Sequence, residues 1–192
     1  MNRLTPEAFH EAKKLPLIVV LDNVRSQHNV GAVFRTADAF LLEGVWTCGI
    51  CPTPDNVEVH KTALGAEQTV STQHFADTLD AVAALRAKGY AIYSIEQAHN
   101  SITLDNFIQQ LNAEAIDGEA PNGSPMGIAI ILGHEVFGVQ QAVIDASDGC
   151  IEIPQYGTKH SLNVSVTAGI VMYTIAQKLH NNNDQNTFPG AT

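Results

Sequence analysis

Basic residues are scarce in this sequence. Ten lysines and arginines face twenty aspartates and glutamates, a formal net charge of −10. Between Lys88 and Lys159 there is no lysine or arginine, while Glu96, Asp105, Glu114, Asp117, Glu119, Glu135, Asp145, Asp148 and Glu152 all fall there. Proteins that hold nucleic acid generally neutralise phosphates with a basic surface, so this balance argues against a general nucleic-acid binder. Only Arg25, Arg35 and Lys159 sit where a local cationic site on an acidic body is expected. Cysteine is scarce as well. Cys48, Cys51 and Cys150 are too few, and odd in number, for a disulfide framework, and they suit a reducing cytoplasm. No apolar run approaches the roughly 20 residues of a membrane span. The start, Met1-Asn2-Arg3-Leu4-Thr5-Pro6-Glu7, lacks the apolar core of a secretory signal. Neither a Walker loop nor a dinucleotide fingerprint is present, which weakens a reading as another kind of nucleotide-using enzyme.

What remains is the composition of a globular domain: 192 residues, 45% of them hydrophobic and 16% charged. Residues 5–12 read as a short helix, capped by Thr5 with Pro6 in its first turn. The continuous apolar run 17–21 reads as a strand buried on both faces. Helical patterns cover 31–42, 77–88, 139–146 and 161–179. Strands are expected at 45–50, 69–75, 90–95, 128–132 and 150–153, and Gly89 ends the helix before the fourth strand. Alternating strands and helices predict an α/β domain, a mostly parallel sheet with helices on both faces. Residues 1–16 form an N-terminal extension and 17–180 the main domain. Residues 109–126 read as a loop insertion and 181–192 as a disordered tail.

Three segments carry the chemistry. The first runs from Asp22 through Asn29, Gly31, Ala32 and Arg35, at the carboxyl end of the first strand, where α/β folds place ligands. Asn29 is a candidate helix cap, and the glycine admits close backbone approach. Arg35 is read into the first helical turn, where a cation opposes the dipole and a functional reason is needed. The second segment is Leu132-Gly133-His134-Glu135-Val136-Phe137-Gly138-Val139, two glycines around a turn after the strongest strand. Such a turn lets backbone groups reach a flat ligand such as adenine, although Glu135 has a plain capping role open to it. The third is Ile153-Pro154-Gln155-Tyr156-Gly157-Thr158-Lys159-His160-Ser161-Leu162-Asn163-Val164-Ser165-Val166. Pro154 and Gly157 predict a defined turn, and Ser161 a helix cap. Asn163, disfavoured inside a helix, calls for another reason.

Together these segments resemble the three motifs of the SpoU/TrmH class of RNA ribose 2'-O-methyltransferases, within the SPOUT superfamily. The resemblance spans about residues 17–179, and Thr62-Ala63-Leu64-Gly65-Ala66-Glu67 is similar to a further family segment. It implies a SPOUT domain whose C-terminal segment forms a deep trefoil knot. It also implies S-adenosylmethionine held largely by backbone groups, with Ile95, Leu132, Gly133, Gly138, Ile153 and Leu162 as its contacts. A homodimer with sites made by both protomers is expected, acting on a ribose 2'-hydroxyl in tRNA or rRNA. Asn29, Arg35, Glu135, Ser161 and Asn163 are the implied catalytic set. Arg35 is preferred as a phosphate clamp, because an arginine pKa above about 12 makes it a costly base.

Three features depart from the pattern. His134 stands where the family often has a small residue, Pro or Asn. Residues 109–126 are longer than the usual connection. With only residues 1–16 ahead of the domain, RNA is expected to be gripped by the dimer or a partner. His28 and His160 lie in the same loops but read as surface residues. Cys48-Gly49-Ile50-Cys51 invites a zinc reading, but with no second pair the thiols read as packing residues, and no metal is expected. The C-terminal helix carries apolar residues on more than one face, which points to a homodimer contact. The alternative function is a catalytically silent knotted RNA-binding or assembly factor.

Overall fold

The computed structural model describes residues 4–111 and 125–183. Seven strands, all pairing in parallel, form one sheet: β1 (Leu15–Asp22), β2 (Leu42–Cys48), β3 (Ser71–Phe75), β4 (Tyr90–Ile95), β5 (Ile102–Thr103), β6 (Gly127–Leu132) and β7 (Gly149–Glu152). Their spatial order is β3-β2-β1-β6-β4-β7-β5. β6 therefore lies at the centre, pairing Leu17 with Ile128 on one side and Tyr90 with Gly127 on the other.

Side chains of a strand alternate between the two faces of its sheet, and the core follows that alternation. Leu17, Val19 and Leu21 of β1, with Ile128, Ile130 and Leu132 of β6, enter one apolar cluster. Ile18 and Val20, with Ala129 and Ile131, enter a second. The first cluster is covered by α1 (Pro6–Glu11), α2 (Gln27–Ala39), α3 (Val57–Ala63), α4 (Ala66–Thr69), α6 (Leu104–Gln110) and α8 (Val164–Asn183). The second lies under α5 (Thr78–Ala87) and α7 (Gln141–Ala146). Helices thus cover both faces, and the strands show the continuous apolar runs that double burial demands.

The helix starts differ from the sequence expectation in two places that matter. Ser26, not Asn29, caps α2: its hydroxyl accepts from the Asn29 amide at 3.3 Å. The buried stripe Val30, Val33, Phe34 and Ala37 then follows at helical spacing. Arg35 is the ninth residue of α2, in its third turn, so it does not oppose the dipole at the helix start. At the other end of the chain, Asn163 rather than Ser161 caps α8, its Oδ1 accepting from the amides of Ser165 (2.8 Å) and Val166 (3.4 Å). The asparagine expected to be out of place in a helix interior stands just before the helix.

Smaller differences have local causes. α6 is capped by Thr103, whose hydroxyl accepts from the Asn106 amide, and buries Leu104 and Phe107. It takes residues 109 and 110 out of the expected loop. α8 runs to Asn183, past the expected start of the tail at 181. Residues 112–124 of the expected insertion and 184–192 of the tail lie outside the described residues. α1 begins as expected at Thr5 and plants Phe9 in the first cluster. Among the described residues no helix is long and apolar enough to cross a membrane.

Candidate active site

All seven strands point the same way, so the loops that leave their carboxyl ends gather along one edge of the sheet. Successive connections from β1 and β6 diverge there, the position where open α/β sheets hold ligands. A cavity of about 930 Å³ opens at this edge. All six expected cofactor contacts, Ile95, Leu132, Gly133, Gly138, Ile153 and Leu162, line it. So do Glu135, Ser161 and Asn163, whereas Asn29 stands behind the lining and Arg35 is elsewhere on exposed α2 surface.

The turn after β6 is built by its two glycines. His134 and Gly138 exchange backbone hydrogen bonds of 3.0 and 2.8 Å. A Cβ on Gly133 would lie 2.1 Å from the Gly138 carbonyl carbon and the Val139 nitrogen, so only glycine allows the turn to close. Gly138 adopts φ +67°, and a Cβ there would meet the Glu96 carboxylate at 2.1 Å. The glycines serve the turn itself before any ligand arrives. Gly31 likewise serves packing: its Cβ would lie 2.6 Å from the Val59 carbonyl oxygen, where α2 crosses α3. Gly157, by contrast, has open space around it and no positive φ.

A chain of hydrogen bonds ties the three sequence segments together. Glu135 accepts from the amides of Arg25 (3.2 Å) and Ser26 (3.0 Å) and from Asn29 Nδ2 (3.1 Å). Asn29 Oδ1 in turn accepts from Asn163 Nδ2 at 3.2 Å. Burial pushes the Glu135 carboxyl up, but its own backbone amide, Ser26, Asn29 and Arg25 outweigh it. The group is held below its ordinary value of 4.5. Glu135 is therefore held as a carboxylate on the cavity lining, bound to three donors of the β1–α2 segment. Ser161 is exposed on the rim, and among the described residues Arg35 makes no hydrogen bond or ion pair. His28 pairs with Thr62 at 3.1 Å and stays outside the cavity, whereas His160 lies on its rim.

Two carboxylates that the sequence reading passed over complete the frame. Asp22, fully buried, accepts from Thr78 Oγ1 (2.6 Å), the Gln140 amide (3.0 Å), Gln140 Nε2 (2.8 Å) and Asn23 Nδ2 (2.9 Å). It anchors the far end of the β6–α7 turn to β1. Glu96 accepts from the Gln97 amide (2.9 Å) and the Val139 amide (3.1 Å), holding the same turn from the β4 side. The available signal was an acidic residue placed directly after an apolar strand in each case. Cys48 and Cys51 lie in the core, and burial pushes their thiols up to about 12 and about 11. The Cys51 thiol donates to the Leu21 carbonyl at 3.1 Å.

Fold and site define a parallel α/β protein with a ligand cavity assembled from three loop segments at the switch edge of its sheet. Residues 16–173 match the SpoU rRNA Methylase family, and the chain belongs to that family. It is 32% identical over 168 residues to a tRNA/rRNA methyltransferase of Borreliella burgdorferi, covering 88% of this chain and 67% of that protein. It is 31% identical over 170 residues to a Staphylococcus haemolyticus protein assigned to the TrmH family of tRNA/rRNA methyltransferases, covering 86% and 60%. The chain thus spans about two thirds or less of the length of these relatives. The fold is similar to that of an AdoMet-bound rRNA methyltransferase from Sinorhizobium meliloti. There the TM-score is 0.72 at 23% identity, covering 92% of this chain and 62% of that one.

Proposed function

We propose that this protein transfers the methyl group of S-adenosylmethionine to a ribose 2'-hydroxyl in tRNA or rRNA, working as a homodimer. The observation that carries the proposal is the Glu135–Asn29–Asn163 chain, which ties the two segments that line the cavity, after β6 and after β7, to the β1–α2 loop behind it; all six expected cofactor contacts line that cavity. The cavity fits the cofactor in size, within the roughly 300–1,000 Å³ of small-molecule sites. It also fits in charge. Its lining includes Glu96, Glu135, Asp145 and Glu152 and no lysine or arginine, a setting that favours a sulfonium cation. The backbone of residues 133–139, fixed by Gly133 and Gly138, offers the close approach a flat adenine needs.

When bound, S-adenosylmethionine supplies an electrophilic methyl group. The protein's part is aim and electrostatics. Ser161 and Asn163, on the cavity lining, are assigned to position the ribose. Glu135 and Asn29 hold Asn163 and the β1–α2 loop in place. Arg35 is assigned as the clamp for the target phosphate and stabiliser of the developing alkoxide. It does not line its own chain's cavity, which favours a site completed by a second protomer. The exposed stripe Val166, Ile170 and Tyr173 on α8, at spacing i, i+4 and i+7, offers the contact for that partner. The reading retains the knot of the family's C-terminal segment. It also retains residues 17–180 as the methyltransferase unit, 1–16 as its extension, and a cytoplasmic setting.

The test is incubation with labelled cofactor and total RNA from a strain lacking the gene, followed by nucleoside mapping. A labelled 2'-O-methylnucleoside is expected. Label confined to a base or to protein overturns the ribose assignment.

A further inference from the structure

His134 departs from the family pattern, and the frame described above gives it no task. Its Nδ1 accepts from the Val136 amide at 3.0 Å, which fixes the plane of the ring within the closed 133–138 turn. Phe137 rests against that ring, centroids 4.9 Å apart and planes tilted by 38°. The phenyl ring is nonetheless 82% exposed. An isolated exposed apolar side chain is ordinary, but this one is not isolated. Val136 beside it is also exposed, and the His134 ring lies against Phe137. The turn that carries Phe137 is held by the close packing at Gly133 and Gly138 and by Glu96 and Asp22. A rigid loop thus presents an aromatic face to solvent at the mouth of the cavity.

The charge of the rim restricts what this face takes. The cavity lining has four carboxylates and no lysine or arginine, so it repels phosphates. The part of a nucleic acid that approaches such a rim without penalty is the uncharged face of a base. Bases splayed out of single-stranded RNA stack on aromatic side chains, largely independently of sequence. Building on the methyltransferase reading, we propose that Phe137, backed by His134, is a stacking platform for an unpaired RNA base at or next to the methylated nucleotide. A protein poor in basic residues then holds its substrate at the site through base stacking, leaving phosphate contact to a few cations outside the cavity.

The test uses the full chain with S-adenosylhomocysteine present and a single-stranded oligoribonucleotide containing 2-aminopurine, whose fluorescence falls on stacking. Wild type is expected to quench it on binding. Phe137→Leu, which keeps apolar bulk without an aromatic face, is expected to bind at least about tenfold more weakly without quenching. Phe137→Tyr is expected to restore both. In transfer assays with the RNA described above, Phe137→Leu is expected to raise the apparent KM for RNA by a similar factor. Equal binding and quenching by wild type and Phe137→Leu, or no binding by wild type, overturns the platform. So does conversion of dimer to monomer by Phe137→Leu in light scattering, which would assign the ring to a second copy of the chain. Quenching that depends on Phe137, with label found on a base, would retain the platform and overturn the ribose reading.

Discussion

The side-chain amide of Asn29 donates to the Glu135 carboxylate at 3.1 Å, joining residues 106 apart in sequence. With the amides of Arg25 and Ser26 on the same carboxylate, the set is strongest when Glu135 is ionised. The folded carboxyl is held below 4.5, so its contribution to stability is present above that value and lost as pH falls through the lower, folded value. Glu135→Gln lacks that contribution. Urea midpoints measured from pH 7 to pH 3 should show wild type above Glu135→Gln near neutrality, with the gap closing below about pH 4.5. Parallel curves across that range would remove the argument.

Asn163 does two things that different substitutions separate. Asn163→Ala loses both the α8 cap and the donor to Asn29. Cap loss costs about 1 kcal/mol, a fall in Tm of roughly 2–4 °C for a chain of this size. Asn163→Asp keeps a capping oxygen but offers Asn29 no donor. It is expected to melt close to wild type yet to transfer methyl groups as poorly as Asn163→Ala. Equal transfer by Asn163→Asp and wild type would show that the tie to Asn29 is dispensable.

The glycines of the site should respond unequally. Gly133→Ala forces backbone apart at 2.1 Å and is expected to destabilise the protein by more than about 2 kcal/mol and to abolish measurable cofactor binding in calorimetry. Gly157→Ala meets nothing within 4 Å and should leave stability within about 0.5 kcal/mol. A large loss of stability from Gly157→Ala would point to a contact made only in the assembled dimer.

Arg35→Ala removes an exposed side chain with no partner among the described residues, so thermal unfolding and cofactor affinity should be unchanged. Transfer should fall about 10²-fold, as for loss of a charged contact to the transition state. Arg35→Lys should recover little, since a point charge replaces a planar fork. A transfer rate within threefold of wild type would take Arg35 out of the site.

The exposed stripe on α8 predicts assembly. Light scattering at micromolar concentration should give the mass of two chains. Ile170→Glu, on an exposed position of the helix, should give one. Its transfer activity should fall with the dimer, because Arg35 is assigned to a site shared between protomers.

What the sequence made legible is what depends on local pattern. β1 and β6 were readable because double burial writes itself as an unbroken apolar run, and α5 because Asp77 and Gly89 mark its ends. The six cavity-lining positions were readable only through family resemblance, since no periodicity reveals that Ile95 and Leu162 meet. Which of several polar residues caps a helix was misjudged twice. Ser26, Asn29, Ser161 and Asn163 are all competent caps; Asn29 is taken up by Glu135 and Asn163, leaving α2 to Ser26, while Asn163 caps α8 through Oδ1 and reaches Asn29 through Nδ2. α6 was missed because its apolar content, Leu104 and Phe107, is a single turn's worth. Asp22 and Glu96 were missed because the residues that satisfy them, Gln140 and Val139, lie far along the chain.

The position of β6 has a consequence for how the protein is made. The two strands that flank it are complete by residue 95, while β6 itself begins at residue 127. A growing chain therefore carries the three-stranded sheet β1–β3 with an open apolar edge, and β4 without either of its neighbours, until the middle strand emerges and joins them. Parallel pairing across such sequence separations is slow, and open edges invite wrong partners. The segment between β4 and β6 sets how long that interval lasts on the ribosome. Variants that lengthen it should fail first by aggregation during synthesis, before any loss of stability in the finished fold.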